Sequence, residues 1–296
     1  MTQRRTRWAA YASVYVFWGS TYPAIRYLVR WVPPFLLSGA RLLAAGLLLL
    51  ALAHARGAAW PTRRQWLGSA GLGMVFLVLC NGVASWGLQY IGAGRATLIT
   101  ACVPLVALAY GWAFQGRQVG WREGLCMGLG LLGVGLLVRP GSQPQAHWAW
   151  GLGAIVWAVT LWGVGIAEAR RFPQASDAIM ASGAQMASAG CVLLGVSALL
   201  EAPGQVALGA LPQSAWGAWA FLVLLGSCAG YLSFHWLIQH EPPQLAGTYA
   251  FVNPVVAVLL GWAFLAEPLG WATLAATGLI VAAVAGLLLR PRAGRA

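Results

Sequence analysis

Two stripes of polar side chains lie within long apolar stretches of the chain. Each stripe has three residues at intervals of four, Asn81, Ser85 and Gln89 in the first and Tyr231, His235 and Gln239 in the second. Residues four apart share one face of a helix. Lipid tails offer polar groups no hydrogen-bond partner, so such groups bond to another helix or face a cavity. The stripes therefore predict two inward-facing polar surfaces, and the two glutamines, which lie near helix ends, are interpreted as interfacial anchors.

Aromatic and amide side chains form a second group of candidates. Trp18 and Tyr22 in the first apolar stretch, and Trp162 in the sixth, lie too deep for an interfacial belt. Tyr249 and Asn253 share a helical face directly before a proline, which leaves a backbone carbonyl free to face a cavity. The alternative for all of them is packing between helices. The predicted substrate-binding residues are Trp18, Tyr22, Asn81, Ser85, Trp162, Tyr231, His235, Tyr249 and Asn253.

Embedded charge is scarce in this sequence. Arg41 is the one charged residue well inside an apolar stretch; it either bonds backbone carbonyls as a structural group or binds a substrate carboxylate. His235 is the only embedded group that titrates near neutral pH, and either an interhelical hydrogen bond or the handling of substrate or protons would use it. All six acids fall at helix ends or in loops. This pattern favours neutral or zwitterionic solutes over cations and phosphorylated compounds.

Signatures of catalysis and of metal binding are missing from the sequence. It contains no HExxH, GxSxG or Walker-type glycine loop in a plausible context. The five cysteines fall inside apolar stretches without CxxC spacing, which indicates packing. We therefore predict that the protein is not an enzyme and uses no metal and no cofactor. The alternative, a membrane-embedded enzyme acting on lipid, would need a cluster of His or Asp near an interface, whereas His54 and His147 are isolated.

The elements that must position these residues are membrane-spanning helices. Of the 296 residues, 60% are hydrophobic and only 8% are charged, which excludes a soluble globular fold. Ten apolar runs are each long enough to cross about 30 Å of hydrocarbon as a helix. They lie near residues 8–27, 34–53, 66–89, 94–114, 121–138, 148–168, 177–200, 215–238, 244–264 and 270–289. Barrel strands are excluded because the runs lack alternation.

The distribution of arginine orients these helices. All 18 basic residues are arginines. If ten helices alternate in direction, thirteen arginines lie in the tails and even-numbered loops and four in the odd-numbered loops. Cytoplasmic loops carry the excess of basic residues, so both termini are predicted to be cytoplasmic. This topogenic role accounts for the net charge of +12 without a nucleic-acid partner.

The two halves of the chain are similar in sequence. At an offset of 150, PLVALAYGWAFQGRQVGW at 104–121 matches PVVAVLLGWAFLAEPLGW at 254–271; at an offset of 144, Arg41 corresponds to Gln185. Each copy contains five helices, an odd number, so the second copy enters the membrane from the opposite side. We predict an all-α integral membrane protein of ten transmembrane helices, arranged as two inverted five-helix repeats (8–140 and 148–290) around a central cavity. Such repeats are typical of secondary transporters.

Several segments resemble the EamA family of the drug/metabolite transporter superfamily. They are WGSTYPAIR at 18–26, RLLAAGLLLL at 41–50, the Pro-centred fourth and ninth helices, and FLAEPLGW at 264–271. The resemblance implies ten helices and an export-biased carrier of small metabolites such as amino acids, with most similarity to bacterial aromatic amino acid exporters. Glu267 in the second half corresponds to Arg117 in the first. The resemblance therefore implies no role shared by these two positions.

The residues and the resemblance together predict a secondary transporter of the bacterial inner membrane. It would export neutral amino acids, aromatic or apolar ones among them, and similar metabolites by alternating access. It would act as a monomer or homodimer within membrane lipid. The first, third, fourth, sixth, eighth and ninth helices would line its cavity. A passive channel for small solutes is the other alternative, and saturable transport with counterflow would distinguish a carrier from it.

Overall fold

The structure is a computed structural model that describes residues 2–116, 118, 120–138, 147–168, 171–202, 204, 206, 208–241 and 249–288. Regular structure in these ranges is helical throughout. The long helical segments, numbered in chain order, are α1 (2–28), α2 (Pro34–Ala55), α3 (Arg63–Gly87), α4 (Ala93–Phe114), α5 (Trp121–Val138), α6 (Trp148–Glu168), α7 (Ala178–Leu200), α8 (213–240), α9 (Tyr249–Leu265) and α10 (Trp271–Leu288).

Length and composition identify the helices that can cross a membrane. Within the described ranges, six helices meet both criteria, and they lie in α2, α3, α4, α6, α7 and α8. Val252–Leu265 and Trp271–Ala283, in α9 and α10, are apolar but shorter. A chain with this many long apolar helices is a multi-pass, all-helical membrane protein.

Local sequence sets several of the helix starts. Thr62 and Gln65 form a reciprocal capping box at the start of α3, in which each side chain accepts a hydrogen bond from the other's backbone N–H. The Asp177 carboxylate accepts a hydrogen bond of 2.8 Å from the Met180 N–H at the start of α7. α2 starts at Pro34, where the missing N–H costs no helical hydrogen bond. These starts fix where the apolar runs enter the bundle.

Four of the helices depart from regular α-geometry in the middle of the bundle. π-helix occupies Val14–Trp18 in α1, Met74–Gly82 in α3 and Leu222–Ala229 in α8. α4 is interrupted between Thr100 and Val103, directly before Pro104. The π segments of α3 and α8 overlap when one is shifted by the 150-residue repeat offset. π segments are rare and often occur at functional sites, so these departures indicate that a functional site lies in the middle of the bundle.

Glycine permits the closest helix contacts. α2 and α7 pack so tightly that a Cβ atom at Gly46 would collide with the Ala187 backbone, and one at Gly190 with the Leu43 backbone. Between α5 and α10, a Cβ atom at Gly133 would lie 2.6 Å from Ile280. Small residues drive association in membranes because they allow backbones to approach closely and increase van der Waals contact.

The contacts between helices recur in the two halves of the chain. The contact of α1 with α9 corresponds to that of α6 with α4. In the same way, the contacts of α3 with α6 and with α7 correspond to those of α8 with α1 and with α2. α2 with α7, α4 with α9, and α5 with α10 each pair a helix with its own counterpart. These contacts are therefore preserved when α1–α5 are exchanged with α6–α10.

Two carboxylates bind the N-termini of neighbouring helices. Glu267, between α9 and α10, accepts hydrogen bonds from the Ala93 and Gly94 N–H groups at the start of α4, at 2.6 and 3.0 Å. Glu201, after α7, accepts hydrogen bonds of 2.9 Å from the Phe35 and Leu36 N–H groups at the start of α2. Both acids satisfy unpaired N–H groups and complement the positive end of a helix dipole. They thereby join the two halves of the chain.

Candidate functional site

A central cavity with a volume of about 160 Å³ lies between the helices. A single water molecule needs about 10–15 Å³ by a comparable measure, so the cavity can hold a small organic solute or a group of waters. Residues of α1, α3, α4, α6, α8 and α9 line it, as the sequence indicated. α2 and α7 also contribute, through Arg41, Leu42 and Met186. The lining thus draws on eight helices rather than six.

Seven of the nine predicted substrate-binding residues lie around this cavity. They are Trp18, Tyr22, Asn81, Trp162, Tyr231, Tyr249 and Asn253. Ser85 is fully buried outside the lining: its hydroxyl donates to the Asn81 carbonyl and accepts from Ser38, each at 2.9 Å. His235 belongs to α8, but its side chain lies outside the described residues.

Trp18 is at the centre of an aromatic cluster on one side of the cavity. Its ring centroid lies 4.9 Å from that of Phe234, 5.5 Å from Tyr249 and 6.4 Å from Tyr231. Its indole N–H donates a hydrogen bond of 3.1 Å to the Gly226 carbonyl. These contacts fix the indole plane against the cavity.

The repeat equivalent of Trp18 occupies a simpler environment. Trp162 and Phe76 form a T-shaped pair, with ring centroids 4.9 Å apart. Shifted by the repeat offset of 150, Phe76 corresponds to Gly226, so a glycine beside Trp18 replaces the aromatic neighbour of Trp162. The aromatic neighbours of Trp18 come from α8 and α9 instead. The cavity is therefore more densely aromatic beside Trp18 than beside Trp162.

Two polar pairs occupy equivalent places in the two halves. Arg41 in α2 donates a hydrogen bond of 2.6 Å from Nη2 to Oδ1 of Asn81 in α3. Tyr231 in α8 donates a hydrogen bond of 2.9 Å to Oε1 of Gln185 in α7. The repeat offsets of 144 and 150 map Arg41 onto Gln185 and Asn81 onto Tyr231. Only the pair in the first half contains a charged residue, Arg41.

Two buried polar atoms at the cavity have no hydrogen-bond partner among the described residues. They are Nε of Arg41, in a residue 4% exposed, and Oδ1 of Asn253, in a residue 8% exposed. One is a donor that carries positive charge, and the other is an acceptor. Buried polar groups are nearly always hydrogen-bonded, so unpaired ones in a cavity indicate a place where a solute or water binds.

The sequence interpretation missed several polar and small residues of the site. Thr97 and Thr100 in α4 and Ser227 in α8 line the cavity. Gly230 is equally important for its shape, because a Cβ atom there would lie 2.7 Å from the Trp18 ring. Threonine and glycine are common in membrane helices for packing reasons, so sequence offered no signal that separated these residues from the rest.

Polar contacts outside the cavity connect helix ends. Arg7 pairs with Glu241 at 3.0 Å, and the Tyr11 hydroxyl donates to the same carboxylate at 3.2 Å, which joins α1 to the end of α8. Tyr110 in α4 donates a hydrogen bond of 3.1 Å to Glu168 at the end of α6. Within the described ranges, no three His, Cys, Asp or Glu side chains lie close enough together to hold a metal ion.

Comparison with known proteins assigns the chain to a family. The model of the EamA-like transporter family matches residues 7–139 and again residues 149–289. The chain belongs to the EamA-like transporter family. The all-helical bundle is consistent with an EamA membrane protein.

This EamA-like transporter is similar to several known proteins. It is 34% identical to the uncharacterized inner membrane transporter YedA of Escherichia coli K12, over 92% of this chain and 87% of that protein. It is 25% identical to Protein PecM of Dickeya dadantii, over 90% and 87% of the two chains. A solved crystal structure shares its fold, with a TM-score of 0.66, 21% identity and 97% coverage of both chains. The protein is thus a membrane transporter.

Proposed function

We propose that this protein is a secondary exporter of neutral amino acids, aromatic and large apolar ones included, in the bacterial inner membrane. The observation that carries the proposal is the cavity, in which aromatic rings and amide groups from both halves converge. Trp18, Tyr22 and Tyr249 offer surface for an apolar side chain, and Asn81 and Asn253 offer hydrogen bonds to a polar backbone. Transport is proposed to be secondary because the sequence carries no Walker-type glycine loop for ATP.

We further propose that all ten helices cross the membrane as two inverted five-helix repeats, with alternating access to the cavity. The family model matches each half of the chain separately, which supports two repeats. The recurring helix contacts and the overlapping π segments of α3 and α8 support the same division. Two similar halves of opposite orientation can exchange conformations and so open one site to either side.

Reporter fusions will test the inverted arrangement. With ten crossings and cytoplasmic termini, a reporter at the C-terminus is expected to signal a cytoplasmic position. A reporter in the 139–147 loop is expected to signal a periplasmic one, because that loop follows an odd number of crossings. Matching signals from the two fusions would mean that one helix does not cross, and would contradict the inverted repeat.

Transport by the purified protein in liposomes will test the function. We expect saturable uptake of labelled phenylalanine, accelerated by unlabelled phenylalanine on the opposite side, because a carrier exchanges its solute each time the site changes sides. Non-saturable flux without counterflow would indicate a channel. Transport restricted to cations or phosphorylated solutes would contradict the proposed substrate class, and chemical change of added lipid would indicate an enzyme. Comparing rates with and without a pH gradient will identify coupling to protons.

A further inference from the structure

We propose that Arg41 and Asn253 are two complementary subsites of the cavity, one for the carboxylate and the other for the ammonium group of a zwitterionic amino acid. The inference rests on the proposed function and goes beyond it, because it assigns each charged group of the substrate to a residue. It follows from the two unpaired atoms, Nε of Arg41 and Oδ1 of Asn253.

The Arg41 guanidinium is a buried charge that no anion among the described residues compensates. It is 4% exposed. The guanidinium has five N–H donors, and one of them binds Asn81, whose amide oxygen is a neutral acceptor. No Asp or Glu lines the cavity among the described residues. An uncompensated buried charge is costly, and a carboxylate is the group that best matches the planar guanidinium. A substrate that carries a carboxylate into the cavity therefore gains more from Arg41 than an uncharged analogue does.

The Asn253 side chain offers the opposite chemistry. Its Oδ1 atom is an acceptor that lacks a donor among the described residues, and an ammonium group carries three donors. Tyr249 lies one helical turn earlier on α9, and its ring is perpendicular to that of Trp18 at a centroid distance of 5.5 Å. Aromatic faces attract a cation electrostatically. An ammonium group near Asn253 would therefore find a hydrogen-bond acceptor and aromatic rings within the same lining.

The repeat does not duplicate this pair of groups. Gln185 corresponds to Arg41, but its amide is already engaged: Oε1 accepts from Tyr231, and Nε2 donates to Gln174 at 2.6 Å. Val103 corresponds to Asn253 and has no polar atom in its side chain. The charged and amide groups are thus single copies in an otherwise duplicated fold, so the two ends of a zwitterion are recognised in one orientation.

Three ligands of equal size will separate the two subsites. L-phenylalanine has both charged groups, L-phenylalaninamide lacks the carboxylate, and 3-phenylpropionate lacks the amine. We expect the full chain in detergent, studied by calorimetry, to bind phenylalanine at least about tenfold more tightly than either analogue, because each analogue leaves one buried group unpaired. Equal binding of the three ligands, or binding of none, would overturn the inference.

Substitutions will assign each preference to its residue. Arg41→Met is expected to abolish the preference for phenylalanine over phenylalaninamide, whereas Arg41→Lys keeps the charge and retains that preference. Asn253→Leu is expected to abolish the preference over 3-phenylpropionate only. Arg30→Met makes the same exchange at an exposed arginine outside the cavity lining; it is the matched control and is expected to keep both preferences. An Arg41→Met protein that still discriminates against the amide would overturn the carboxylate subsite.

The outcomes also separate this inference from the proposed function. Phenylalanine counterflow in liposomes, combined with equal binding of the three ligands, would leave the exporter in place and overturn the subsites. Tight binding of 3-phenylpropionate alone, with no phenylalanine transport, would support the Arg41 subsite, overturn the Asn253 subsite and contradict the amino acid substrate.

Discussion

Trp18→Ala is expected to lower the rate of phenylalanine counterflow in liposomes at least about tenfold. The substitution removes three aromatic contacts, with Phe234, Tyr249 and Tyr231, and the hydrogen bond to the Gly226 carbonyl. An aromatic pair contributes about 0.5–1.5 kcal/mol beyond its buried area, and about 1.4 kcal/mol corresponds to a tenfold change. Loss of the indole therefore removes a surface that contacts the substrate and also weakens the packing of the neighbouring aromatic rings.

A matched control is available on α6. Trp157 is 51% exposed and does not line the cavity, so Trp157→Ala is expected to leave the counterflow rate close to that of the unmodified protein. Trp18→Phe, which keeps an aromatic ring but loses the indole N–H, is expected to give an intermediate rate. If Trp18→Ala and Trp157→Ala behave alike while both proteins remain monodisperse in detergent, Trp18 has only a packing role.

Gly190→Leu is expected to destabilise the protein by about 1–3 kcal/mol, the usual effect of inserting atoms into a well-packed core. Even a Cβ atom at this position would collide with the Leu43 backbone, and helix backbone cannot move aside as a flexible side chain can. α2 and α7 would have to separate along their closest contact. The midpoint of thermal unfolding in detergent, followed by loss of the monodisperse peak, measures the effect.

Gly195 provides the control within the same helix. A Cβ atom at Gly195 would have no neighbour within 4 Å, so Gly195→Leu introduces the same residue into open space. Its unfolding midpoint is expected to stay close to that of the unmodified protein. Equal loss of stability in the two variants would mean that helix propensity or insertion, rather than the α2–α7 contact, limits stability.

Helical periodicity placed most of the candidate residues but not all of them. Trp18 and Tyr22, which are too deep in their apolar stretch for an interfacial belt, lie around the cavity. Ser85 does not, although it is four residues after Asn81, because its hydroxyl faces Ser38 in α2. A polar stripe shows which residues share a helical face, but the neighbouring helices determine which part of that face borders the cavity and which part is packed.

The role of Arg41 could not be resolved from sequence, because its two interpretations differ only in what surrounds the guanidinium. The structure places it at the cavity, where its hydrogen bond within the described ranges goes to the Asn81 side chain and not to a backbone carbonyl. Asn81 is forty residues away in the chain and was assigned to the same site independently, as part of a polar stripe. The contact between them depends on how α2 and α3 pack, which no local pattern specifies.

By itself, the sequence determined that this protein is an all-helical membrane protein of the EamA family, because hydropathy, length and duplicated motifs are local or linear properties. It also determined which side chains are too polar or too deep to face lipid. Only the tertiary structure showed that α2 and α7 contribute to the cavity lining and that Ser85 lies outside it. It also showed that π segments occupy parts of α1, α3 and α8. The physical reason is that packing depends on two distant helices together: α2 approaches α7 closely only because Gly46 and Gly190 each face backbone of the other helix.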